Sequence, residues 1–255
     1  MRIFIVIDET SFFHPSFLND LLLKIKDEVV GVALVTKIPK KSDLKRFLIK
    51  NIYLLKLSEI AKLSIFTLKI KLLNIFNNRY YGSVKSVLLY HKIPFINVKK
   101  NINQEIYISF IKKMKPHVII SSNSLIFKKE ILSIPKYCCI NRHSSLLPLY
   151  AGLWPVFHAF IKREKNVGVS VHIMTEKIDA GLIIAQKKIA ININDTIFTL
   201  YKKCFDISAG VIISALDKIN NFNNFNNYDS EKLQYFSFPT REDWKLLRKR
   251  NGRFI

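Results

Sequence analysis

Along this chain, short unbroken apolar runs alternate with segments whose apolar residues recur every three or four positions. The first run, Ile3 to Ile7, is β-branched and scarcely alternates, as a central parallel strand buried on both faces should be. FHPSFLNDLLLKIKDE follows, with Pro15 ahead of a helix-spaced set at Phe17, Leu18, Leu21, Leu22 and Ile25, and VVGVALVT, over about 29 to 37, is the next strand. Such a strand, helix, strand unit takes a right-handed crossover. The alternation continues with SVKSVLLYHKI (helix), PFINVK (strand), INQEIYISFIKKMK (helix), HVIISS from His117 to Ser122 (strand), a helix around FKKEILSI, and the strand KYCCI. Past Pro155, VFHAFIKRE is a helix, VGVSVHIM alternates as a strand from 167 to 174, and LIIAQKKIAI, 182 to 191, is its hairpin partner. Asp195 and Thr196 cap a long helix reaching about Ile219, with Asp195 at the N-cap. The expected fold is α/β: a doubly wound, mainly parallel sheet over 1–219, an Asn-rich linker over 220–229 and a short basic C-terminal tail over 230–255.

One segment fits this scheme less simply. NIYLLKLSEIAKLSIFTLKIKLLNIF, 51 to 76, is the most apolar region, yet Lys56, Glu59, Lys62, Lys69 and Lys71 interrupt it, so it is too polar for a membrane span. A core-facing helical pair is expected there, in preference to a basic amphipathic helix lying on a membrane. Composition adds a charge of +22, from 41 basic and 19 acidic residues, which points to a polyanionic partner or to a general bias toward Lys, Asn and Ile. Lysines cluster at 37, 40, 41, 45 and 50, with Arg46, where a phosphate could be met. A second basic cluster comprises Arg241, Lys245, Arg248, Lys249, Arg250 and Arg253. Cys138, Cys139 and Cys204 lack disulfide or zinc spacing and fit a reducing, cytoplasmic location. Asp8 and Glu9 stand where a signal peptide would need small residues. With only 7 glycines, the chain has no GxGxxG or Walker-type loop.

The chemistry is concentrated in NRHSSLLPLYAG, 141 to 152, which directly follows KYCCI. If the strand continues, Asn141 and His143 point to one face. An amide and an imidazole there suit a tetrahedral oxyanion or a proton transfer, whereas an isolated pair of this kind more often satisfies buried backbone. Further along, Asp179 stands in a turn before Gly181, able to orient and charge His143 or to remove a proton from a nucleophile.

NRHSSLLPLYAGLWP, GVSVHIM and IDAGLIIAQ together resemble, in order and spacing, the folate-dependent formyltransferase family, with its NxHxSLLPxYxGxxP, GvtvH and DxG motifs. The resemblance is strong over about 115 to 205, holds by strand order before that, and touches the tail at YFSFPTREDW. It implies a Rossmann-like formyltransferase fold and transfer of a formyl group from 10-formyltetrahydrofolate to a primary amine, without metal. It carries the family's triad onto Asn141, His143 and Asp179: Asn141 and a protonated His143 hold the oxyanion, and Asp179 keeps His143 charged and relays the amine's proton through water. The pterin is expected against Leu125, Ile126 and Phe127 and against the loop from Ile178 to Gly181. Two departures stand out: Arg142 replaces a branched aliphatic residue and should face away from the catalytic pair, and the turn IDETSFF lacks the family's small residues.

Relatives that formylate initiator tRNA carry a further barrel domain, for which the residues after Ile219 are too few, and purine-pathway relatives open with a Ser/Gly-rich phosphate loop. The chain looks most like the sugar N-formyltransferases, acting on a nucleotide-linked amino sugar of surface-polysaccharide assembly, with no stable nucleic-acid partner and no transmembrane segment. Related enzymes are often dimers, and 51 to 76 or the tail could supply a homodimer contact. Competing readings are a tRNA formyltransferase with a reduced C-terminal part, a formyltetrahydrofolate hydrolase, and a basic nucleic-acid or membrane-surface binding protein on an inherited scaffold.

Overall fold

A computed structural model describes residues 1–10, 12–37, 54–76, 82–220 and 233–255. Its elements in chain order are β1 (Arg2–Asp8), α1 (His14–Lys24), β2 (Glu28–Lys37), α2 (Leu57–Phe76), α3 (Val84–Tyr90), β3 (Phe95–Lys99), α4 (Glu105–Lys113), β4 (Val118–Ser122), α5 (Lys129–Leu132), β5 (Cys138–His143), β6 (Ala151–Gly152), α6 (Pro155–Ile161), β7 (Asn166–Ile173), β8 (Ile183–Ala190), α7 (Ile197–Asn220), β9 (Tyr235–Phe236) and α8 (Arg241–Lys249).

The run Ile3 to Ile7 does not alternate because both its faces are needed. Ile3, Ile5 and Ile7 enter one core layer with α1, α3 and α7, while Phe4 and Val6 enter the other with α4. Among the described residues, seven strands form one sheet in the order β3-β2-β1-β4-β5-β7-β8. Pairing is parallel from β3 to β5 and antiparallel from β5 through β7 to β8. The strand order reverses between β1 and β4, and the crevice at their carboxyl ends is where such sheets bind ligands.

Two sequence expectations need correction. The N-cap of α7 is Thr196, which exchanges a capping box with Thr199 (3.1 Å and 2.8 Å), while Asp195 accepts from the Asn192 N–H and from Lys203. Over 54–76 there is the single helix α2, not a pair; it docks one side and exposes the other. Residues 51–53, the lysine cluster beyond Lys37 and the Asn-rich stretch beyond Asn220 lie outside the described residues.

The basic tail is docked rather than loose. Trp244, Leu247 and Phe254 are buried with Trp154, Phe157, Ile161, Ile197 and Leu55 in a third cluster. Arg248 donates to both oxygens of Glu59 at 2.9 and 2.6 Å, and the Phe254 N–H donates to Oε1 at 2.7 Å. Burial alone would raise the Glu59 pKa, but Arg248 and the backbone donors outweigh it and hold the carboxyl below its ordinary value.

Helix ends show another consequence of the sequence. The residues that turn the chain back after α3, α4, α6 and α8 are Lys92, Lys115, Arg163 and Asn251, all with positive φ (55°, 46°, 61° and 55°), where glycine is the unstrained choice. Replacing Lys92 or Lys115 with Gly is expected to stabilise the protein by about 1 kcal/mol each. Urea unfolding of the two variants measures this.

Candidate active site

Asn141 and His143 lie on the same face of β5 as Cys139, which packs in the second core layer, while Ile140 and Arg142 turn to the first. Antiparallel pairing sets Asn141 opposite His172 of β7. The turn from β7 to β8 then returns Asp179 to the same spot, with φ +52°. Gly181 permits the close return: a Cβ there would collide with the Ile173 carbonyl oxygen.

Four side chains converge. The Asn141 amide nitrogen is 3.5 Å from Asp179 Oδ1 and 3.3 Å from His172 Nε2. His143 Nε2 is 3.8 Å from Asp179 Oδ2, and His172 Nε2 is 3.5 Å from Oδ1. Asp179 Oδ2 accepts the Gly152 N–H at 2.8 Å. His143 Nε2–H donates to the Tyr150 carbonyl at 3.1 Å, and His172 Nδ1 donates to the Ile173 carbonyl at 2.9 Å, fixing both rings.

Burial opposes ionisation of Asp179, but the two imidazoles and the Gly152 N–H outweigh it, so its pKa lies well below the ordinary value. Burial lowers the His143 pKa; Asp179 and the Tyr150 carbonyl offset this only in part, while His172 and Arg142 add to it. The resting site thus pairs a carboxylate with a neutral imidazole. This differs from the charged His143 expected from sequence, because desolvation of the ring exceeds the help of its acid.

Of the residues expected around a pterin, Leu125 and Phe127 point into the core, Ile126 and Ile178 are exposed, and Gly181 is buried in the turn. Arg142 is buried on the far face, donating to Ser208 Oγ at 2.8 Å and Ser144 Oγ at 2.6 Å, with its guanidinium carbon 3.9 Å from the Phe205 ring centre. Sequence reasoning did not single out His172, Tyr150, Gly152 or Asp8 as parts of the site. His172 stood within the GVSVH strand, but its pairing with Asn141 is a matter of register.

A formyl transferase family model matches residues 1–216. The chain belongs to the formyl transferase family. Among curated relatives, bifunctional polymyxin resistance protein ArnA of Wigglesworthia glossinidia brevipalpis is 41% identical over 141 residues, covering 55% of this chain and 21% of that protein. Methionyl-tRNA formyltransferase of Thermodesulfovibrio yellowstonii is 39% identical over 164 residues, covering 64% of this chain and 53% of that one. The chain therefore spans about half, or less, of the length of these relatives. A sugar N-formyltransferase structure from Shewanella sp. FDAARGOS_354 shares the fold at TM-score 0.58 and 19% identity, over 97% of this chain and 87% of the other. Phosphoribosylglycinamide formyltransferase from Anaplasma phagocytophilum does so at 0.59 and 17%, over 87% of each.

Asp8, at the carboxyl end of β1, accepts from Ser124 Oγ at 2.8 Å. Burial raises its pKa from 3.8 to about 6, with the Ser124 bonds opposing. Between those two pH values the unfolded chain ionises while the folded one keeps its proton, so this group's contribution to stability falls as pH rises and the loss is complete above about 6. The wild type should lose roughly 2–3 kcal/mol over this window that Asp8→Asn keeps, measured by denaturant unfolding of both proteins across the range. Gly152 has φ +88°, and a Cβ would run into the Phe236 carbonyl oxygen and the Tyr235 ring. Gly152→Ala should cost at least about 2 kcal/mol and displace β9, seen as a lower melting temperature and faster proteolysis of the tail.

Proposed function

We propose that the protein transfers a formyl group from 10-formyltetrahydrofolate to the primary amine of a nucleotide-linked amino sugar. The observation that carries the reading is the meeting of Asn141, His143 and Asp179 around one point at the carboxyl end of β5, in a chain that belongs to the formyl transferase family. The folate supplies an activated formyl carbon. Exposed Ile126, and Ile178 next to Asp179, offer apolar surface to a flat ring, which fits such a co-substrate.

In this mechanism the Asn141 amide donates to the formyl oxygen as charge gathers there. His143, on the same strand face, becomes a second donor to that oxygen on taking up a proton at Nδ1, since its one N–H in the neutral form already goes to the Tyr150 carbonyl. Asp179, ionised at rest, accepts the amine's proton through water as the new C–N bond forms, and returns a proton to the leaving nitrogen. Residues 1–219 form the proposed catalytic unit; the linker over 220–229 leads to the tail over 230–255, which supports that unit through Gly152.

The turn after β1 supports the choice of amine. Asp8 and Glu9 stand there, accepting from Ser124 and from the Lys85 N–H at 3.0 Å. Two acids disfavour a phosphate cradled by that turn, so an amine lacking a phosphate close to the reacting nitrogen suits it better. Methionyl-tRNA is the second reading, favoured by identity to methionyl-tRNA formyltransferases and by the exposed cations of α8.

Incubation with 10-formyltetrahydrofolate and a panel of amino-sugar nucleotides, followed by mass, should add one formyl group to one member. Reaction with charged tRNA alone, weakening steeply with salt, would replace this reading with the second. Formate release without an amine would make the protein a hydrolase. Asn141→Ala and Asp179→Asn are each expected to lower kcat by about 100- to 1,000-fold without unfolding the protein.

A further inference from the structure

We infer that helix α2 docks the protein on anionic membrane surfaces. In α2, Leu57 is 86% exposed, Ile65 67%, Leu68 56% and Leu72 44%, whereas other exposed aliphatics, such as Leu23, Leu89, Ile106 and Ile193, stand singly on separate segments. At a helical advance of about 100° per residue, these four and exposed Ala61 fall within an arc of about 80°. The opposite side is used: Glu59 and Ile70 are buried, Ile60 and Leu63 pack on the third cluster, and Phe66 packs edge-on against Phe198 with ring centres 5.0 Å apart. The helix is therefore anchored by one face and presents the other, an aliphatic strip too continuous to be scattered surface residues.

Charge selects the occupant. Exposed Lys62 and Lys69 lie along one margin of the strip, and exposed Lys56 precedes the helix. The one acidic residue of α2, Glu59, is buried and neutralised by Arg248, so the exposed charge of this face is entirely positive. Helix α8 with its C-cap, tied to α2 by that ion pair, exposes Arg241, Lys245, Lys249 and Arg250 against one exposed acid, Glu242. A second copy of the chain would bring like charges together around the apolar strip. An anionic bilayer accepts both features at once: aliphatic side chains enter the acyl boundary and lysines reach the headgroups. The strip is short and no helix among the described residues is long and apolar enough to cross a membrane, so the association is in-plane and reversible. It is independent of the formyl-transfer reading.

The full-length protein should co-sediment with phosphatidylglycerol-containing vesicles at low salt and remain in solution with pure phosphatidylcholine vesicles. The double variant Ile65→Ser/Leu68→Ser, altering exposed side chains only, should weaken binding at least tenfold with an unchanged circular dichroism spectrum and melting temperature. Lys62→Gln/Lys69→Gln should reduce the salt dependence of binding. Equal binding by the Ser variant would overturn the inference, as would no binding to either vesicle. A concentration-dependent dimer in analytical ultracentrifugation that the Ser variant abolishes would assign the strip to a second copy instead.

Discussion

The arrangement depends on keeping Asp179 ionised inside a pocket that would otherwise protonate it. A buried carboxylate needs donors, and here the Asn141 amide of β5 and the Gly152 N–H of β6 supply them, with the His172 ring of β7 alongside. The Gly152 N–H is the shortest of these contacts, and Gly152 is also where β9 pairs in parallel with β6. The tail therefore reaches the site through backbone pairing at Gly152 and through the Phe236 ring stacked on Tyr150, with ring centres 5.3 Å apart. Trp244, Leu247 and Phe254 hold the tail to the body, β9 holds Gly152, and Gly152 holds the acid.

The two faces of β5 carry opposite demands. One presents Asn141 and His143; the other buries the Arg142 guanidinium with no carboxylate partner among the described residues. Burial lowers the Arg142 pKa to about 10, which still leaves it charged at neutral pH. Two hydroxyls and the Phe205 face replace only part of its hydration, so the site carries a desolvation cost. The same charge disfavours a proton on His143 across the strand and on His14 in α1, whose pKa burial chiefly lowers, to about 3. Arg142 thus acts electrostatically on the face that carries Asn141 and His143 while pointing away from it. A neutral His143 beside a charged Asp179 follows from this asymmetry as well as from burial.

What the sequence made legible divides along the same physical line. β1 and β4 were readable because a strand covered on both faces must be a continuous apolar run, and the β7–β8 hairpin because its pattern alternates. Asn141 and His143 were readable as a pair from period-2 geometry. Asp179 needed the family pattern, since an aspartate before glycine is ordinarily a turn residue. Register is what stayed hidden: that His172 lies opposite Asn141, or that Gly152 meets Phe236, depends on pairings between distant strands. The expectation of a helical pair over 51 to 76 failed because apolar residues surround α2 so evenly that no buried face stands out. The N-cap of α7 shifted by one residue because Asp195 is engaged by Lys203 and the Asn192 N–H, leaving Thr196 to cap.

Composition explains some features and not others. A chain with 7 glycines and a charge of +22 places lysine or arginine at left-handed helix ends, where the side chain does nothing that glycine would not do better. Lysines of that origin should be scattered over the surface without regard to their neighbours, so the net charge of the chain identifies no partner and only the lysines beside the α2 strip bear on its occupant. The α2 strip is different in kind. Four exposed aliphatics share one arc of one helix, whereas the other exposed ones, such as Leu23, Leu89, Ile106 and Ile193, stand singly on separate segments. A surface with ordered apolar residues and disordered charge has been shaped by contact through the former; the latter only sets the sign of what it meets.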